Sequence, residues 1–232
     1  MTDNQIPPTE TPEEIGLMHA SAQPAAEIVS RAQAAWRRIE AWPSRYAHVT
    51  SAAIRPGATD DQFRRTEEET GYRLPPALRA WYSLADGMET GTRGAYLLPM
   101  GYAWLPLERA CELHGQLMAG PEEERGLFPI ATSDVDDSHY GLHVDAREGL
   151  PSYGCLGLWG AGSESVAYPS GAGWPLVEYL EEIIGALEGR RALRLPDGTT
   201  DATETPGIDR SALRWLDPAS EFEDGMQRLR RG

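Results

Sequence analysis

Between Pro56 and Gly87 the chain is punctuated so closely that two short helices joined by a turn are the reading it allows. Thr59-Asp60-Asp61-Gln62 has the form of a capping box. The Thr59 hydroxyl accepts from the Gln62 backbone N–H, and the Gln62 side chain reaches back to the cap. The spacing predicts a helix from Asp60 to about Thr70, ended by Gly71 as a left-handed C′ residue. Phe63 is the only large apolar side chain on it, so its buried stripe is narrow. Pro75 and Pro76 then open a second helix, where a missing N–H is tolerated. Leu78, Trp81, Tyr82 and Ala85 form its apolar face, and Asp86-Gly87 ends it.

On either side the period of the apolar residues changes. Upstream, Ile28, Ala32, Ala35, Trp36 and Ile39 recur at helical spacing within Ala26 to Trp42, and Pro43 is expected to stop that helix. Tyr46 to Ile54 reads as a short strand. Downstream, Ala95-Tyr96-Leu97-Leu98 is a strand candidate, and Leu105 to Met118 returns to helical spacing. Four short strands follow, starting at Phe128, Tyr140, Cys155 and Ser165, with a hairpin turn at Gly160-Ala161-Gly162. Leu176, Leu180, Ile183, Ile184 and Leu187 then fall on one stripe of a closing helix. Trp81 and Trp159 belong to the core in this reading.

With 232 residues and 41% hydrophobic content, one domain with a sizeable core is expected. Residues 1–26 read as a flexible leader rich in Pro, Thr, Glu and Ala, and 27–189 as the folded domain. Residues 190–232, with 8 acids and 8 bases, read as a polar tail holding one short helix around Arg210 to Trp215.

The formal net charge is −15, and all 21 bases are arginine. Direct nucleic-acid binding is not expected, because nothing supplies a basic footprint for phosphates. The absence of lysine excludes Schiff-base and P-loop lysine chemistry. Residues 31–189 alone hold 23 acids and 13 arginines, so the acidity belongs to the domain and favours basic partners. Cys111 and Cys155 are 44 positions apart, which permits no CxxC and suggests reduced thiols. The first residues lack a signal-peptide pattern, and no apolar run approaches the ~20 residues that span a bilayer. A cytoplasmic protein away from the membrane is expected.

No constellation of catalytic residues emerges. Asp134, Asp136, Ser138 and Asp145 occupy positions 1, 3, 5 and 12 of an EF-hand count, but His139 stands at position 6, where the sharp turn needs glycine. His139 and His143, four apart on a strand, would lie about 13 Å from each other, too far to share a zinc ion. Cys155 has no evident base nearby, and Gly160-Ala161-Gly162 opens no helix and so is no dinucleotide loop. No enzyme, cofactor or metal is expected.

Pro56-Gly57-Ala58-Thr59-Asp60-Asp61, with Phe63, Glu67, Gly71, Leu74-Pro75, Leu78, Tyr82 and Asp86-Gly87, resembles the signature of the SUKH superfamily. That superfamily includes the fungal cell-wall-synthesis regulator and many bacterial toxin-immunity proteins. Leu105-Pro106-Leu107, Phe128-Pro129-Ile130-Ala131, the strand ending at Asp145, the glycine-rich hairpin and the closing helix follow in the family's order, over about residues 36 to 188. The chain departs from the pattern at Thr66 and Thr70, where apolar residues are usual, and at Asp134 to Ser138, which lacks a glycine pair. The resemblance implies a single α+β domain, a mostly antiparallel sheet flanked by helices, with a protein-binding role and no catalytic residues. It points to an immunity protein that neutralises a bacterial toxin stoichiometrically, the partner being a basic domain such as a nuclease. The alternative is a regulatory scaffold binding endogenous proteins through the same fold. Charge and loop position nominate Asp134, Asp136, Asp137, His139, Asp145 and Glu164 as partner-binding residues.

Overall fold

Helix α1 (Ala25–Tyr46) lays Ala32, Ala35, Trp36, Ile39 and Trp42 into the core, at the spacing read from the sequence. The structure is a computed structural model describing residues 24–89, 91–92, 94–117, 125–133, 140–160, 163–168, 173–196, 204–216 and 227–228. Pro43 does not stop α1, contrary to expectation. The helix loses one N–H there, but Trp42 is buried with its ring tilted against Tyr46, centroids 5.2 Å apart, and Ala47 N donates to Pro43 O at 2.8 Å. Tertiary packing thus offsets the local cost of the proline.

The segment expected as a strand forms instead a short helix, α2 (His48–Ala53). Its N-terminal backbone is engaged from outside: Val49 N donates to Ser211 O at 2.9 Å. Thr50 Oγ1 in turn accepts from Leu213 N at 2.8 Å. Docking of the segment against the C-terminal hairpin thus overrides the extended reading of Tyr46 to Ile54.

The capping box closes as expected. Gln62 N donates to Thr59 Oγ1 at 3.3 Å and Thr59 N to Gln62 Oε1 at 2.9 Å, starting α3 (Asp60–Thr70); Gly71 ends it at φ 74°. Helix α4 (Pro76–Leu84) begins at the proline pair. Glu67 ties the two helices together, because its Oε1 accepts from Leu74 N at 3.4 Å and from the Arg79 guanidinium at 3.0 Å. Asp86 extends the tie. Its Oδ2 accepts from Gln62 Nε2 at 3.0 Å, and its Oδ1 accepts from Leu107 N at 2.8 Å, capping α5 (Leu107–Leu117) from a distant part of the chain. Gly87 is required beside it: φ is 73°, and a Cβ would lie 2.4 Å from Pro106 N.

The six-stranded antiparallel sheet orders β1 (Ala103–Trp104), β2 (Leu127–Thr132), β3 (Tyr140–Asp145), β4 (Cys155–Gly160) and β5 (Ser163–Ala167) as neighbours; β6 (Trp174–Pro175) pairs with β4. Phe128, Val144 and Leu156 are cross-strand partners and share the face buried in the core. The pairing of Gly160 with Ser163 brackets the expected hairpin turn. Ala95 to Leu98 is not a strand; Leu98 makes one isolated bridge to Tyr102. At the centre of the core Trp81 stacks on Trp104 at 4.0 Å and 18°, with Trp36 edge-on to Trp104 at 4.9 Å. Trp159 is also buried.

Helix α6 (Leu176–Gly189) packs parallel to α1: Arg31 pairs with Glu181 and, seven residues on in both helices, Arg38 pairs with Glu188. Beyond it the tail reading fails for residues 204–216. In place of a short helix, β7 (Thr205–Asp209) and β8 (Ala212–Leu216) form a hairpin, and β9 (Gln227–Arg228) adds to β7. Arg210 and Ser211 occupy its two-residue turn, both at positive φ (47° and 65°). Leu213 is fully buried and Trp215 Nε1 donates to Leu97 O at 2.9 Å. The chain is thus an α+β fold. No helix among the described residues is long and apolar enough to cross a membrane.

Candidate interaction site

Two of the nominated residues lie in described strands, Asp145 at the end of β3 and Glu164 in β5. Asp134, Asp136, Asp137 and His139 lie outside the described residues, in the stretch that leads into Tyr140. Glu164 belongs to β5, and the start of β5 lies beside the same end of the sheet, since Gly160 pairs with both Tyr140 and Ser163. Asp145 is five residues further along β3, about 17 Å away for an extended strand. It is not presented to solvent, being 3% exposed. One end of the sheet therefore holds Tyr140 and the start of β5, and the other holds Asp145.

Tyr140 was not among the nominated residues. It is 55% exposed, although it shares its strand parity with the buried Leu142 and Val144. Strand alternation assigns it inward, and its exposure arises because it starts the strand, at the sheet's end. Tyr102, near by, is buried, which together with Tyr140 and Glu204 pushes its phenol pKa up to about 12.

At the Asp145 end a cleft of about 190 Å³ opens, lined by His143, Asp145, Arg147, Ser152, Cys155 and Ser165, with Leu127 opposite Asp145 on the neighbouring strand. The Asp145 carboxylate is saturated. Oδ1 accepts from Arg147 N and Nε, both at 2.9 Å; Oδ2 accepts from the Arg147 guanidinium at 2.7 Å and Ser152 Oγ at 2.6 Å. Burial would raise the Asp145 pKa, but the Arg147 and Ser152 hydrogen bonds outweigh it and hold the carboxyl below its ordinary value. His143 is driven the other way: burial lowers its imidazole to about 4, leaving it neutral at pH 7. Burial also pushes the Cys155 thiol up, away from the thiolate. An engaged carboxylate, a neutral imidazole and a protonated thiol can recognise a guest but supply no activated nucleophile. Among the described residues no group of three His, Cys, Asp or Glu side chains could hold a metal ion.

Two glycines shape the sheet here. Gly141 faces Trp159 and Gly157 faces His143 across the β3–β4 ladder. A Cβ on Gly141 would come within 2.7 Å of the Trp159 ring, and one on Gly157 within 2.3 Å of the His143 ring. Each aromatic ring thus covers the bare backbone of its partner.

Residues 57–170 match the model of the SMI1 / KNR4 family (SUKH-1). They are a SUKH domain. No curated protein matches the chain. The matched part of the SUKH domain runs from just before α3 to just after β5, so it contains Tyr140, Glu164 and nearly all of the cleft wall. The signature residues Glu67 and Asp86 earn their places structurally, as the links from α3 to α4 and to α5 described above. Helices α1, α2 and α6 and the C-terminal hairpin lie outside the match and pack around it.

Proposed function

We propose that this SUKH domain is a non-enzymatic, stoichiometric binding protein of the immunity type, which neutralises a basic bacterial toxin domain by covering it. Tyr140 carries the reading. It is a large, exposed side chain at a sheet end, preceded in the chain by Asp134, Asp136 and Asp137, with Glu164 on β5 near by. Tyrosine is a preferred anchor of binding interfaces, and surrounding carboxylates steer a basic partner onto it. The excess of 23 acids over 13 arginines in residues 31–189 extends that field over the domain. The cleft fits the same reading in that Asp145, Arg147 and Ser152 are engaged with one another.

The test is affinity capture at low and high salt with the wild-type chain, Tyr140→Ala, and the triple change Asp134→Asn, Asp136→Asn, Asp137→Asn. The expected result is one basic protein at equal stoichiometry, released by salt and lost from both variants. Co-expression should then protect cells from that protein. Several endogenous partners with no protective effect would overturn the immunity reading in favour of a regulatory scaffold. Capture unaffected by either variant would remove the Tyr140 end as the contact face.

A further inference from the structure

We infer that a second cleft, where α6 ends against α1, is a docking site for an acidic segment of a protein partner. The two helices run parallel, and α6 ends at Gly189, one residue past the Arg38–Glu188 pair. Helix α1 continues beyond Arg38 to Tyr46, a further rise of about 12 Å. A cleft of about 310 Å³ occupies that step. Arg38, Ala41, Trp42, Arg45 and Tyr46 line it from α1, and Glu188 and Arg190 line it from the end of α6. Its charge is the inverse of the domain's. Residues 31–189 hold 23 acids and 13 arginines, whereas the cleft is lined by three arginines and one carboxylate. That carboxylate is already held, since both Glu188 oxygens accept from the Arg38 guanidinium. Arg45 makes no ion pair among the described residues; its guanidinium lies over the Tyr46 ring, 5.2 Å from the centroid.

A cation at a helix C-terminus is favoured by the helix dipole, which accounts for Arg45 on α1 and Arg190 on α6 taken singly. Parallel packing is what brings them to one cleft. The negative end of α6 is itself covered there. Trp42 Nε1 donates to Leu187 O at 3.1 Å, and Arg191 N donates to Ala186 O at 3.1 Å. Ala41 leaves the space for a guest. It is exposed, three residues after Arg38 and four before Arg45, so it lies between the two arginines on one face of α1. Arg38 and Glu188 display the forked contact that a guanidinium makes with a carboxylate. A carboxylate entering beside Ala41 meets Arg45 in the same way. A short acidic segment supplies it. A nucleic acid suits the cleft less, because its phosphates would run on over a domain in which acids outnumber arginines.

The experiment titrates the full chain with a fluorescent hexaglutamate peptide at low ionic strength, with hexaglutamine as the neutral control. Hexaglutamate should bind about tenfold more tightly, the gain expected of charge-assisted hydrogen bonds. Arg45→Gln should weaken it about three- to fivefold, the worth of one exposed ion pair. Arg37→Gln removes the same charge from an exposed position of α1 outside the lining and should leave binding nearly unchanged. Ala41→Glu sets a competing carboxylate between Arg38 and Arg45 and should abolish binding, whereas Ala41→Gln, of the same size, should retain it. No preference for hexaglutamate, equal losses from Arg45→Gln and Arg37→Gln, or binding undisturbed by Ala41→Glu would overturn the site. A single-stranded oligonucleotide bound more tightly than hexaglutamate would overturn the acidic protein in favour of nucleic acid. A gain of more than about tenfold on changing Glu10, Glu13 and Glu14 to Gln would assign the cleft to the chain's own N-terminal residues. Self-association lost in Arg45→Gln would assign it to a second copy. Either result would overturn a separate partner. Tyr140 is not part of the lining, so a failed toxin capture would leave the hexaglutamate result standing.

Discussion

His143 stands directly opposite Gly157 on neighbouring strands, and its imidazole occupies the space that any side chain at 157 would need, 2.3 Å from an added Cβ. The backbone oxygen of Val166 closes the other side at 2.7 Å. Gly157→Ala should therefore destabilise the fold by about 2–3 kcal/mol, the cost of overpacking a closed site. Gly141→Ala should cost more, since its Cβ would meet Ala131 O at 1.9 Å and backbone yields less than a ring. Gly115 provides the control. It lies within α5 with nothing within 4 Å of an added Cβ, so Gly115→Ala should stabilise by about 0.5–1 kcal/mol. Urea unfolding of the three variants measures the order.

Acid should weaken the protein through His143. The unfolded chain takes up a proton near pH 6.5, which the folded chain refuses until about pH 4. The contribution of the neutral, buried ring is thus fully present above pH 6.5 and is lost as pH falls from 6.5 to 4, by about 3 kcal/mol at most. His114, also lowered by burial, acts in the same direction. Asp145 raises the His143 pKa and Arg147 lowers it, each by less than burial does. Urea midpoints at pH 7.5, 5.5 and 4.5 should fall steeply in the wild type and less in His143→Gln. Parallel slopes would show that the ring is not the cause.

Asp86 is a single acceptor for two elements, and its loss should be felt in both. Asp86→Ala leaves Leu107 N at the start of α5 and the Gln62 amide without their partner, a cost of about 2–4 kcal/mol. Thr59→Ala removes only the cap of α3 and should cost about 1 kcal/mol. A stability difference of less than 0.5 kcal/mol between the two variants, by the same assay, would refute the hub assignment.

Leu213→Ala separates a packed hairpin from a loose tail. The residue is fully buried, and its backbone N–H is bonded to Thr50. Truncation should cost about 2–4 kcal/mol. Amide exchange at Leu213 should be slow, matching the core and not a frayed terminus.

Local chemistry was legible where a side chain bonds within its own turn. The Thr59–Gln62 box, the Gly71 stop and the proline start of α4 follow from neighbours in sequence, so their boundaries needed no further information. Strands β2 to β5 were legible from alternation and turns, whereas their order in the sheet came only with the structure. The hairpin at 205–216 was hidden because its turn uses Arg210-Ser211 at positive φ, where Asn-Gly would have announced it. Tyr140 was hidden because parity places it inward, whereas the end of the sheet leaves it exposed.

By itself the sequence determined the α3–turn–α4 unit, the alternation of the sheet, the acidity of the domain and the absence of lysine chemistry, because each depends on residues a few positions apart or on composition alone. Tertiary structure decided what α1 does at Pro43, that Val49-Thr50 is helical, and that Asp145 is buried and bonded to Arg147 and Ser152. Those outcomes turn on burial and on bonds between distant residues. Packing a tryptophan or saturating a buried carboxylate is worth more than the few tenths of a kcal/mol by which local propensities differ.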